Sequence, residues 1–132
     1  MTRLGLVILL CAPVPAVAQS VDCSQPSGAT ATLCAERDLK RADADLNAAY
    51  RAARDGAQRF DAEFPDLPGT LMADQLLDAQ RRWIAFRDAA CETEAKPRSV
   101  GGAGYGAALA GCTARLTRRR TQDLRDLAQG LQ

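Results

Sequence analysis

The sequence contains no histidine, so the side chain that most often serves as a base near neutral pH, and most often ligates metal, is missing. Aromatic residues are few, with three Phe, two Tyr and one Trp in 132 residues, so Leu and Ala must fill any core. No two cysteines are spaced C-x-x-C, which together with the missing histidine argues against a zinc site. No stretch alternates apolar and polar residues as a half-buried strand does. After residue 18 no apolar run approaches the roughly 20 residues that cross a bilayer, so no membrane span is expected. Charge of one sign is not in excess either, at 17 Lys+Arg against 16 Asp+Glu. A near-neutral chain lacks the field that gathers nucleic acid.

What is present begins with a leader. Arg3 precedes an apolar run over residues 4–11, Pro13 and Pro15 interrupt it, and Ala16-Val17-Ala18 forms an A-x-A cleavage site. The run spans roughly eight residues, too few to anchor a transmembrane helix. Residues 1–18 therefore read as a signal peptide, and cleavage near Ala18 predicts a periplasmic or secreted protein. Cys11 follows Leu9-Leu10 rather than a small residue, which argues against lipid attachment there. Cleavage removes Arg3 and Cys11, leaving a mature chain of 114 residues with 16 bases, 16 acids and four cysteines. Cys23, Cys34, Cys91 and Cys112 are an even set in an exported chain, which reads as two disulfides. Four cysteines allow three pairings; bridges between different helices would lock a bundle best. Each bridge stabilises a thin core by about 2–4 kcal/mol.

Residues 19–29, rich in Ser, Gln, Pro and Gly, predict an extended arm pinned by Cys23, ahead of a helical domain over 30–132. A first helix is expected over about 30–60, capped by Thr30 or Thr32, with Leu39, Ala42, Leu46, Ala49, Tyr50 and Ala53 in one stripe and Gly56 weakening or ending it. The prolines and glycine of 64–69 predict a loop. A second helix over about 70–92 gathers Leu76, Leu77, Gln80, Trp83, Ile84, Arg87 and Cys91 on a broad face. A loop over 97–106, with Gly101, Gly102, Gly104 and Gly106, leads to a third helix over about 107–128 with Leu109, Cys112, Leu116, Leu124 and Leu127 inward. No coiled-coil heptad is sustained over three turns. The expected fold is all-α: a small antiparallel three-helix bundle, up-down-up, stapled by two disulfides near one pole.

Helical spacing also aligns polar residues: Asp43, Asn47 and Tyr50 on the first helix, Gln80, Trp83 and Arg87 on the second, Thr117 and Arg120 on the third. They read as a structural polar network, with Asp43 facing Arg87 or Arg120, that fixes which helix faces meet. Trp83 is expected as the central packing residue. Arg115 and Arg118-Arg119-Arg120, followed by Asp123 and Asp126, read as a solvated face. The glycine loop lacks the Gly-Lys-Ser/Thr ending and the preceding strand of a phosphate loop, so it reads as a flexible connection. Arg98, Ser99 and Tyr105 on it are candidate partner contacts. Residues 55–78 hold six acids and one base, which suits an exposed loop or a docking surface for a basic protein. No catalytic residue, cofactor or metal site is expected: oxidised cysteines are not nucleophiles, and Asp43 and Asp45, two apart on a helix, point to different faces.

These residues also form a pattern: Cys34-Ala35, then Ala42-Asp43-x-x-Leu46-Asn47-x-x-Tyr50, then Ala79-Gln80-Arg81-x-Trp83-Ile84-x-Phe86-Arg87-Asp88-x-x-Cys91, then Cys112-x-x-x-Leu116-Thr117-x-x-Arg120-x-x-x-Leu124. Over about residues 23–127 the chain resembles the LprI-type domain, a bacterial envelope family named for a lysozyme inhibitor. The resemblance implies an exported, disulfide-bonded helical protein that blocks a lysozyme-type glycosidase, and it carries over no catalytic or contact residue. The alternative is an envelope interaction module with a different protein partner. The named inhibitor resembles a lipoprotein; the cleavable leader here favours a free periplasmic protein instead.

Overall fold

The structure, a computed structural model, describes residues 21–100 and 104–132. The expected leader with its cleavage site, and residues 101–103 of the glycine loop, lie outside the described residues. Three helices account for most of the rest: α1 (Gly28–Glu63), α2 (Met72–Ala95) and α3 (Tyr105–Gly130), with a short 3-10 turn (Lys96–Ser99) after α2. They run up-down-up, and the described residues contain no strand. At 1.5 Å per residue, the 36 residues of α1 extend about 54 Å and make it the spine of the bundle.

Both ends of α1 differ from expectation. Ser27 sits in the N-cap position and Thr30 N–H donates to the Ser27 carbonyl at 3.1 Å, so Thr30 and Thr32 lie within the helix rather than capping it. The helix also continues through Gly56 to Glu63. Gly56 is buried, and a Cβ there would lie 3.0 Å from Cβ of Leu131. This glycine makes room for the end of the chain instead of ending the helix.

The most extensive interface joins α1 to α3, which run parallel; α2 crosses both with far less contact. On α1 the buried residues are Ala42, Leu46, Ala49, Ala53, Gly56 and Ala57. On α3 the buried row is Ala110, Ala114, Thr117, Thr121, Leu124 and Ala128. From Ala42 to Gly56 and from Ala110 to Ala128 the steps alternate between four and three residues, the spacing of a left-handed coiled-coil seam. This sustained 3.5-residue repeat departs from the sequence expectation. Apart from Leu46, Gly56 and Leu124 its occupants are Ala and Thr, which carry too little apolar weight to mark a heptad. Small side chains bring the backbones close; a Cβ on Gly106 would meet Thr32 Cγ2 at 2.9 Å. Leu109, Leu116 and Leu127, expected inward on α3, flank the seam half-buried.

Helix α2 covers one side of this pair. Leu76 joins Leu46, Ala49, Ala53, Ala57, Leu124 and Ala128 in the core, with Trp83 packed partly buried at its margin. Trp83 is therefore an edge residue rather than the centre, because a seam of alanines leaves no space for an indole. Ile84, expected inward, is exposed. The N-terminus of α2 is capped from outside: Asp61 on α1 accepts from Met72 N–H through Oδ1 at 2.7 Å and from Ala73 N–H through Oδ2 at 2.9 Å. Two free donors and the positive end of the helix dipole thus meet one carboxylate.

The disulfides pair Cys23 with Cys34 and Cys91 with Cys112, at Cα separations of 5.8 and 5.5 Å. The second joins the end of α2 to α3, as an inter-helix bridge should. The first ties the arm back onto α1, so only one bridge joins two helices. Cys23 lies just outside the helix that carries Cys34, and Arg37 holds the arm beside it through a 3.3 Å bond to the Val21 carbonyl. In the arm's turn, the Ser24 backbone amide at 2.9 Å, aided by its hydroxyl, holds the Asp22 carboxyl below the usual carboxylate range.

Asp61→Ala removes the cap and the charge that fix the start of α2. It is expected to lower unfolding free energy by about 1–2 kcal/mol in urea titrations. An unchanged midpoint and slope would show that α2 starts without this carboxylate.

Candidate functional site

Up-down-up packing brings the middle of all three helices level, and the polar residues collect there. Arg87 on α2 is the centre. Its Nη1 donates to Thr117 Oγ1 on α3 at 3.2 Å and to Asp43 Oδ1 on α1 at 3.4 Å. Its Nε donates to Asp88 Oδ1 at 2.8 Å, and its guanidinium carbon lies 5.2 Å from the Trp83 ring centroid. The Arg87 side chain is only 14% exposed, whereas Asp43 and Asp88 stay near half exposed. Two turns from Arg87 on α2, the buried Gln80 accepts from Arg120 Nε at 3.1 Å.

The sequence-derived network thus divides into Asp43–Arg87–Thr117 and Gln80–Arg120. Asn47 is exposed and takes no part in either. The Tyr50 hydroxyl is buried without a hydrogen-bond partner among the described residues, so Tyr50 contributes its ring to the core margin and not its oxygen to the network. Arg87 holds a hydroxyl and two carboxylates in place.

The basic run of α3 is more engaged than a solvated face would be. Arg115 reaches Glu94 on α2 at 2.6 Å and Arg118 reaches Asp38 on α1 at 2.7 Å, while Arg119 stays exposed. Antiparallel and parallel neighbours on either side of α3 offer each arginine an acid. These pairs are half exposed, so each contributes about 0–1 kcal/mol.

The two poles differ in chemistry. At the pole of the Cys91–Cys112 bridge, Arg98 is exposed on the 3-10 turn. The Ser99 hydroxyl donates to the Lys96 carbonyl at 2.7 Å, and Tyr105 is half-buried in the first turn of α3. Of the three candidate contacts, Arg98 presents an exposed charged group with no ion pair among the described residues.

At the opposite pole, a cleft of about 290 Å³ opens between the end of α1 and the start of α2. Phe60, Phe64, Leu67, Leu71 and Met72 line it beside the polar Asp61, Thr70 and Gln75, with the two Phe rings 5.0 Å apart. Sequence reasoning marked this segment for its turn residues and its acids; the interleaved Phe and Leu were the available sign of a cleft with an apolar side. Among the described residues no group of three or more His, Cys, Asp or Glu is placed to hold a metal ion, and no helix is long and apolar enough to cross a membrane.

Arg87→Ala leaves Thr117 and the Asp43 carboxylate without their shared donor. The expected loss is about 2 kcal/mol in equilibrium unfolding followed by Trp83 fluorescence. Arg87→Lys keeps the charge but not the fork, and is expected to recover only part. Equal stability of Arg87→Ala and wild type would remove Arg87 from the account of helix pairing.

Three comparisons place the chain among known proteins. The family described as Lysozyme inhibitor LprI matches residues 22–124. An uncharacterised protein of Rhizobium meliloti (strain 1021) is 37% identical over 130 residues, covering 95% of this chain and 93% of that one. Among solved structures, a DUF1311 family protein from Pseudomonas putida KT2440 is similar, with a TM-score of 0.62 and 25% identity over 77% of this chain and 94% of that chain. The family match runs from the arm beside Cys23 to Leu124 at the foot of α3, through the Arg87 layer and both disulfides. The chain belongs to the LprI lysozyme inhibitor family.

Proposed function

We propose that this protein acts outside the cytosol as an inhibitor that binds a lysozyme-type glycosidase. Membership of the LprI family carries the reading. Two disulfides suit an oxidising compartment, and the leader read from residues 1–18 supplies the route there.

Lysozyme-type enzymes cut glycan between two carboxylates. An inhibitor needs a rigid tip that enters that cleft and satisfies the acids. The turn carrying Arg98 and Ser99, with Tyr105 across the loop, is the proposed tip, because a guanidinium fork matches a carboxylate in two bonds. The Cys91–Cys112 bridge sits behind it and limits the ordering that binding would otherwise require. No role as a catalyst is proposed.

A second reading is an envelope interaction module with a partner other than a lysozyme. The apolar cleft at the pole remote from Arg98 favours it, since glycosidase inhibition through the tip leaves that cleft unused.

Purified protein with both disulfides intact, in several-fold molar excess, is expected to slow lysis of cell-wall suspensions by lysozyme. Arg98→Ala should weaken that effect without lowering the melting temperature. Lysis at the uninhibited rate would remove the inhibitor reading and leave the interaction module.

A further inference from the structure

The cleft between α1 and α2 brings together features that packing alone does not require. Phe64, Leu67 and Leu71 are 45%, 55% and 53% exposed, yet all three line one depression with Phe60 and Met72. Scattered surface hydrophobics are ordinary; several gathered around a concave floor mark a place where another surface sits. The scaffold beneath is fixed, because Asp61 binds the first two amides of α2 at the cleft wall.

Charge selects the occupant. Glu63, Asp66 and Asp74 lie in or beside the segment that builds the cleft, and none forms an ion pair among the described residues. Residues 55–78 hold six acids and one base, Arg59; Asp61 is committed to the α2 cap and Asp78 to Arg82, which leaves Asp55, Glu63, Asp66 and Asp74. A second copy docked two-fold through this same face would bring the same acids against these, which is repulsive. A neutral apolar partner would leave them uncompensated. A basic surface meets both features: its cations face the acids while an apolar side chain fills the floor.

We propose that this cleft is a docking site for a basic protein, which inserts an apolar side chain between Phe64, Leu67 and Leu71 and sets Lys or Arg residues against Glu63, Asp66 and Asp74. The site lies at the end of the bundle opposite Arg98, so it is independent of the proposed inhibitory tip. One molecule can hold a glycosidase at one pole and a basic envelope protein at the other.

The test uses a fluorescent dodecapeptide of alternating leucine and lysine as the probe and the intact disulfide-bonded protein. Saturable binding is expected, weakened by raising salt beyond physiological strength, where the screening length is about 8 Å. Leu67→Glu with Leu71→Glu removes the apolar contact while adding negative charge. It should weaken binding about tenfold or more. Asp66→Asn with Asp74→Asn should weaken it several-fold, and Arg98→Ala should leave it unchanged. All five substituted residues are exposed, so circular dichroism should match wild type.

Three results overturn the proposal. The first is tighter or equal binding by the Leu67→Glu, Leu71→Glu protein, which would mean charge alone attracts the probe. The second is equal binding of a leucine–glutamate peptide. The third is a wild-type dimer in sedimentation that the same double variant dissociates, which would make a second copy the occupant. Lysozyme inhibition is read in a separate assay, so either function can fail while the other stands.

Discussion

Close approach of α1 and α3 sets the geometry on which everything else rests. Ala42, Ala49, Ala53 and Ala57 on one helix, and Ala110, Ala114 and Ala128 on the other, are all buried. Each alanine removes little apolar area from water, so area alone gives a weak core. The gain comes from length and density: two parallel helices touch over many turns with backbone near backbone, and dispersion accumulates along the seam. Leu46, Leu76 and Leu124 add bulk only where α2 lies close. A core of this kind is intolerant of added volume, since small side chains already set the two backbones close together.

The helices that flank the seam are held by specific contacts rather than by bulk. Helix α2 shares little surface with α1 and α3, and it is fastened at three levels. Asp61 fixes its start, Arg87 fixes its middle, and Cys91–Cys112 fixes its end. This distribution explains why both poles can carry exposed features without loosening the bundle. The Arg98 turn follows directly from the disulfide-held end of α2, and the apolar cleft follows from its Asp61-held start.

The helical class, the three long elements, the loops and the four oxidised cysteines were legible because they depend on periodicity, turn chemistry and count. The polar layer was partly legible: the level of Arg87, Asp43 and Thr117 follows from helical register, and only that level of detail survives. Asn47 shares a face with Asp43 in projection, but the tight seam turns it to solvent. The α1–α3 repeat was hidden because alanine and threonine mark no hydrophobic period, although their spacing is regular. The Asp61 cap was hidden because it acts across a loop, eleven residues before the amide it binds. Cys23–Cys34 could not be told from other pairings, since spacing alone does not say how the arm lies on α1. The arginines of α3 looked like solvent-facing charge because their partners Glu94 and Asp38 come from other helices.

The seam is tested most directly by adding volume to it. Ala53 and Ala114 are both fully buried, whereas Ala52 is exposed on the same helix as Ala53. Chemical denaturation of Ala53→Leu and Ala114→Leu is expected to show a loss of about 1–3 kcal/mol each, with Ala52→Leu near wild type. If leucine at the buried positions leaves stability unchanged or raises it, α1 and α3 are not held by close packing of small residues.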